Sequence, residues 1–209
     1  MIKTFAFLLA ISISSSLLSQ TFEGRIVYRN SYNSKIPNMT TRQFTSMMGD
    51  TQEYHIKKGN YKSVSNGTLF QWQLYINRDN KLYSKMANSD TILWNDGALN
   101  ADRVLSAVLN KNVLEVLGYK CDELVLTCKS GIQKYYFNSQ LSIDSKLYEK
   151  HKYGNWFEFL FRTNAVPLKS IVDTDQLTLE SVAIKVTPSQ LDTRMFALPA
   201  KAGIAKSPY

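Results

Sequence analysis

The chain has 209 residues, of which 44% are hydrophobic and 12% aromatic, enough for one domain with a substantial core and not so long as to require two. Its formal net charge is +8, yet the basic residues are scattered, and the nearest approach to a cluster is Lys146, Lys150, His151 and Lys152. With no charged block and no recognisable motif, the composition argues against nucleic-acid binding and for a solvated mixed surface drawn to anionic ones.

Residues 1–19 carry Lys3, then a largely apolar run diluted by serines, the layout of a secretory leader. Polar Gln20, Thr21, Glu23 and Arg25 follow too soon for the roughly 20 apolar residues of a bilayer span. The expectation is cleavage near Ser19–Gln20 and an exported, periplasmic or extracellular protein with no transmembrane span in its mature chain. Both cysteines lie far downstream, so no lipid-modified N-terminal Cys is available and the mature chain is expected to be soluble, not a lipoprotein. The predicted organisation is a leader over 1–19, one β-rich domain over 20–199 and a flexible basic tail over 200–209.

Beyond the leader, Phe22, Gly24, Ile26 and Tyr28 alternate with Glu23, Arg25, Val27 and Arg29, the period-two pattern of a half-buried strand. Residues 30–50 are rich in Ser, Thr and Asn and read as a long connection with at most one poor strand. Strands then follow over 52–57 and 61–64 around Lys58-Gly59-Asn60, and Asn66-Gly67 signals a hairpin. Residues 69–76 make the cleanest strand, with Phe70, Trp72, Leu74 and Ile76 on one face. Short strands over 81–86 and 91–94, separated by Asn/Asp/Ser turns, continue an antiparallel meander.

Ala101, Val104, Leu105, Val108 and Leu109 fall at helical spacing, although the β-branched content also suits a two-sided strand; the reading leans to a short helix. Strands are predicted over 113–116, 119–127 and 132–137, a helical turn or loop over 142–153, and an aromatic strand over 156–161. Residues 176–186 and 194–198 read as the last strands. The predicted fold is mainly β: a single curved antiparallel sheet, a meander resembling half a barrel, with one or two short helices or loops covering a face.

Chemistry-bearing patterns are sparse. His55 and His151 have no partner at metal-ligand spacing, and Cys-x6-Cys does not fit the short ligand loop of a structural zinc site, so no metal is expected. His55 reads as an exposed surface histidine. Cys121 and Cys128 bound one predicted strand, which would hold them too far apart to pair unless a turn breaks it. There is no G-x-S-x-G elbow and no phosphate-cradling glycine loop, and Asp122 and Glu123 face opposite ways on a strand. No catalytic residue and no cofactor is proposed, and a non-enzyme is expected.

The aromatic residues carry the remaining signal. Phe70, Trp72, Trp94, Trp156, Phe157, Phe159 and Phe161 either line an apolar concavity under a curved sheet or simply form its core. In the 156–161 run both faces of the predicted strand are aromatic, so one face needs cover beyond the main core or stays exposed as a binding patch.

Residues 116–121 (Val-Leu-Gly-Tyr-Lys-Cys), Tyr135-Tyr136-Phe137, residues 165–169 around Pro167, and the closing Phe196-Ala197-Leu198-Pro199 resemble exported proteins of Bacteroidota related to the GLPGLI family and similar domains of unknown function. The resemblance covers most of the mature chain in order, through short motifs. It implies a broad architectural likeness to outer-membrane lipoprotein carriers, whose curved sheet holds an acyl chain, and implies no activity. Two functions compete: a non-enzymatic binding or carrier module for a lipid or other amphiphile, and an envelope subunit that binds a protein partner through an edge strand or its basic surface.

Overall fold

A computed structural model describes residues 21–208, so the predicted leader lies outside the described residues. Six strands open the chain: β1 (Gly24–Ser34), β2 (Thr51–Lys57), β3 (Asn60–Ser65), β4 (Phe70–Ile76), β5 (Lys81–Met86) and β6 (Thr91–Asp96). Five more follow: β7 (Val104–Val116), β8 (Tyr119–Cys128), β9 (Gly131–Ser142), β10 (Ala165–Thr174) and β11 (Leu177–Pro188). Each set is an antiparallel meander, and β1 pairs with β11 to join them. The result is one open, curved sheet of twelve strands, ordered β12-β6-β5-β4-β3-β2-β1-β11-β10-β9-β8-β7, where β12 is Gly203–Lys206.

Turn chemistry explains the hairpins. Lys58-Gly59 and Leu117-Gly118 both hold positive φ at two successive residues, the geometry that matches the twist of flanking strands. The Asn66-Gly67 hairpin forms, but differently from the tight turn expected. Asn66 Oδ1 accepts from the Thr51 amide at 3.0 Å, and a Cβ on Gly67 would fall 2.4 Å from the Met47 carbonyl. The glycine serves a close approach of backbones there, not a positive φ.

Five further expectations are corrected. The 101–110 segment, read as leaning helical, lies mostly in β7, whose β-branched Val104 and Val108 favour extended backbone. The 156–161 run is not a strand but the core of helix α2 (Trp156–Thr163), entered through Asn155 in the left-handed region and left through Asn164 in the same region. Residues 30–50 hold the end of β1 and a helix, α1 (Thr41–Met48), and residues 193–196 form a 3-10 turn instead of a strand. The tail read as flexible contributes β12, parallel to β6. Strand β10 went unread because Pro167 cannot donate to a ladder; the register shifts on both sides of it.

Helix α1 carries a capping box: the Thr40 hydroxyl accepts from the Gln43 amide at 3.2 Å, and Gln43 Oε1 accepts from the Thr40 amide at 2.9 Å. No residue of α1 is buried, so the cap matters to it. Thr40→Ala should cost about 1 kcal/mol of local helix stability, read as faster amide exchange across residues 43–47 with the rest of the sheet unchanged. Equal exchange in both proteins would contradict a capping role.

The sheet is covered on both faces. On one, α2 and the 3-10 turns Ser145–Tyr148 and Tyr153–Asn155 pack on the central strands, burying Phe159, Leu160, Tyr148 and His151 against Tyr28, Tyr61, Leu124 and Tyr135. On the other, the 3-10 turn Thr193–Phe196 and its flanks cover β4 to β6, where Phe196 meets Leu74, Tyr83 and Ile92.

Candidate functional site

The aromatic residues singled out from the sequence divide between these two faces. Trp156 and Phe159 belong to the α2 side, their rings 5.7 Å apart. Trp72 and Trp94 pack in the smaller core on the opposite face, where Lys62 lies 5.4 Å from the Trp72 ring and Lys81 lies 4.0 Å from the Trp94 ring. Phe157 and Phe161 lie 5.5 Å apart, tilted to one another, on the outside of α2, with Phe161 61% exposed and Lys152 over Phe157 at 3.7 Å. Phe70 is half-buried at the start of β4, opposite Met86. They cannot line one pocket.

Under α2 the space is filled by rings. Tyr54 and Tyr61 stack at 5.0 Å, Tyr61 and Tyr75 at 5.4 Å, and the His151 ring lies 3.9 Å from Tyr75, nearly parallel to it. The Tyr61 hydroxyl and His151 Nε2 share a hydrogen bond of 2.8 Å. Beside this stack, a hollow of about 100 Å³ is walled by Tyr28, Gln52, Tyr54, Tyr135, Trp156 and Ser170. That is well below the roughly 300–1,000 Å³ of ordinary ligand pockets. Larger hollows are open and mixed in polarity: one of about 630 Å³ beside the Glu23–Lys57 ion pair, and a groove of about 490 Å³ between β7 and α2.

The titratable groups of this interior are held neutral. Burial pushes the His151 imidazole down to about 3. Burial, with Asp102 nearby, pushes the Cys128 thiol up to about 11, and burial raises Cys121 as well. Thiols so shifted are poor nucleophiles at neutral pH. They sit at opposite ends of β8 as free thiols, and Asn155 Nδ2 lies 3.4 Å from Cys128 Sγ. His55 is half-buried instead of exposed, with its Nδ1 shielded and without a hydrogen-bond partner. Among the described residues, no three His, Cys, Asp or Glu side chains are grouped to hold a metal ion.

The feature that sequence reading missed is the sheet edge. Strand β7 is thirteen residues long, pairs only with β8, and ends the sheet. Leu109 lies opposite Leu124 on the α2 face and Val108 opposite Val125 on the other, and both are exposed, at 47% and 53%. Leu105 and Val113 are exposed as well. No proline and no charge interrupts residues 104–110, although such residues are the usual protection of an open edge. A bulge around Asn112, which has positive φ, interrupts the ladder, which resumes at Leu114 opposite Cys121.

These elements define an open single-sheet β protein with a ring-filled face and one bare apolar edge. No family model and no curated protein matches the chain. Among solved structures it is similar to PNGF-II, at 12% identity and a TM-score of 0.46, over 90% of this chain and 32% of that one. It is also similar to LprF from Mycobacterium bovis, at 10% identity and a TM-score of 0.36, over 87% of this chain and 90% of that one. The chain thus spans about a third of PNGF-II. Neither likeness reaches the level at which an activity carries over. No helix of the described residues is long and apolar enough to cross a membrane.

Proposed function

We propose that this chain is an exported, non-enzymatic interaction protein of the cell envelope, which binds an extended segment of a protein partner along the β7 edge. The observation that carries this reading is the edge itself: a row of unpaired backbone groups flanked by exposed Leu105, Val108 and Leu109. An added strand would gain main-chain hydrogen bonds and cover apolar surface at the same time. Arg103 precedes the uncharged stretch, while Lys111 after it is paired with Asp122 at 2.7 Å, so the charge preference for a partner falls at the Arg103 end. Export rests on the leader pattern of residues 1–19 and on the resemblance to exported proteins. The neutral His151 and cysteines support a role without catalysis.

The test is capture from native envelopes by wild-type protein and by a Val108→Lys/Leu109→Lys variant. Wild type should recover one stoichiometric partner, and the variant should lose at least about 90% of it, a tenfold weakening or more. Because both side chains are already exposed, thermal unfolding should change little, within about 0.5 kcal/mol. Equal recovery by the two proteins would defeat the proposal. A mass of twice the monomer in solution, abolished by the same variant, would instead make a second copy of this chain the occupant.

A second reading is a carrier of an amphiphile in the β7–α2 groove, lined by Val104, Leu105 and Ala107 together with Arg103 and the Arg162–Glu158 ion pair. Lipid extraction of natively purified protein, followed by mass spectrometry, separates the two readings, since only this one expects a co-purifying lipid.

A further inference from the structure

We propose that β12 is a releasable cap on the second edge of the sheet, and that without it the chains join head to tail, β7 of one copy pairing with β6 of the next. The two ends of the sheet are protected very differently. At one end stands β7, thirteen residues long, with Leu105, Val108 and Leu109 exposed and no charge between Val104 and Asn110. At the other stands β12, four residues long and ending in Lys206; a very short strand that carries lysine is one of the usual ways to blunt an edge. The edge beneath it is β6, whose six residues include Ile92, Leu93 and Trp94.

Strand direction makes β12 a stand-in for β7. Ten antiparallel pairings separate β6 from β7, an even number, so these two strands run the same way through the sheet. In a sheet continued from one molecule to the next, β7 of the second copy would therefore lie parallel to β6. That place and direction are taken by β12, which pairs in parallel with β6 from Gly203 opposite Thr91 to Lys206 opposite Trp94.

The cap is held lightly. None of its four residues is buried, and Ile204 is 48% exposed. Its hold on β6 comes from the ladder, from the Ser207 amide donating to the Trp94 carbonyl at 2.8 Å, and from Lys206 lying 5.8 Å from the Trp94 ring. The chain just before it is better anchored, because Leu198 and Ala202 pack against the smaller core. That tether gives β12 an effective concentration in the millimolar range at β6, so at micromolar protein it excludes a strand of similar affinity from another molecule. Once β12 is lifted, β7 offers a longer ladder and apolar side chains to cover. A β7-on-β6 contact joins two different surfaces, so every added copy leaves one edge of each kind free and the assembly has no fixed size, whereas β7 on β7 would stop at a dimer. The inference rests on the reading of β7 as a strand-accepting edge and adds to it the guarded acceptor at β6.

Sedimentation velocity of the mature protein compares wild type with Ile204→Pro/Ala205→Pro, whose adjacent prolines remove a ladder donor whichever of the two residues faces β6. At about 50 µM, far below the millimolar effective concentration of the tether, wild type should be monomeric. The proline variant should form species that grow with concentration beyond a dimer, raising the weight-average mass about threefold or more. Adding Val108→Lys/Leu109→Lys to the proline variant should return it to monomer. Because β12 buries nothing, that combined variant should unfold in urea as wild type does; a lowered midpoint would mean that β12 holds the fold together and would overturn its role as a releasable cap. A proline variant that stays monomeric, or an assembly that stops at a dimer or survives the β7 lysines, would overturn the proposal. Equal assembly by wild type would overturn it too, since β12 would then guard nothing. Failure of the β7 reading itself is seen separately, as equal envelope capture by wild type and Val108→Lys/Leu109→Lys, both of which keep β12.

Discussion

Phe159→Ala is expected to destabilise the protein by about 3–5 kcal/mol, whereas Phe161→Ala should stay within about 0.5 kcal/mol of wild type. Phe159 is fully buried, its ring 4.5 Å from Tyr135, 5.7 Å from Trp156 and 6.2 Å from Phe137. Truncation removes both the transferred area and several favourable ring contacts, and the strands beneath cannot collapse into the space. Phe161 projects outward from the same helix. The contrast discriminates between folds, because on a strand residues two apart share a face and the two variants would suffer alike. Urea unfolding of both proteins decides it, and equal losses would mean that residues 156–161 are not helical.

The second large effect is an acid sensitivity located at one side chain. His151 has an ordinary value of 6.5 and is held down to about 3 by burial among Tyr61, Tyr75 and Tyr148. The folded state therefore keeps the ring neutral while the unfolded chain takes up a proton below about pH 6.5. Stability is complete above that value and falls as the pH drops towards 3, at about 1.4 kcal/mol per unit. Between pH 7.5 and 4.5 the loss should be about 2–3 kcal/mol, and His151→Gln should abolish it whatever the variant's stability at neutral pH. Stopping at pH 4.5 keeps the carboxylate contribution small, because Glu23 and Asp122, both lowered in the fold, lose their own stabilisation as the pH falls through their ordinary values of 4.5 and 3.8. His55 is also shifted down by burial, so His55→Gln is the necessary control. An unchanged pH dependence in His151→Gln would show that the ring is not the source.

Much of the strand content was legible because it is local. Alternation of apolar and polar residues marks β1, β4 and β9, and Gly59 and Gly118 mark turns that only certain residues can make. The misreadings have equally local causes. In residues 156–161 the aromatics occupy both strand faces, which hid the helical spacing of Trp156, Phe159 and Leu160 and the Glu158–Arg162 pair one turn apart. The capping box at Thr40 and Gln43 was the available signal for α1. Pro167 masked β10, whose Pro167 carbonyl in fact accepts from the Tyr28 hydroxyl at 2.6 Å.

The candidate surfaces were less accessible. Periodicity says which residues of a strand share a face, but not whether that face meets α2, the 193–196 turn or solvent. Trp72 and Trp156 looked equivalent in the sequence, and the sheet separates them. Likewise nothing in the residues of β7 distinguishes an edge from an interior strand, since the apolar pattern that suits burial on two faces is the one left bare here. By itself, the sequence determined a mainly β chain of antiparallel hairpins with their turns, because backbone conformation and alternation follow from near neighbours. Only the tertiary structure decided which faces are covered, which strand is last and where buried polar atoms stay unpaired, because those depend on the pairing of β1 with β11 and on helix docking between residues far apart in the chain.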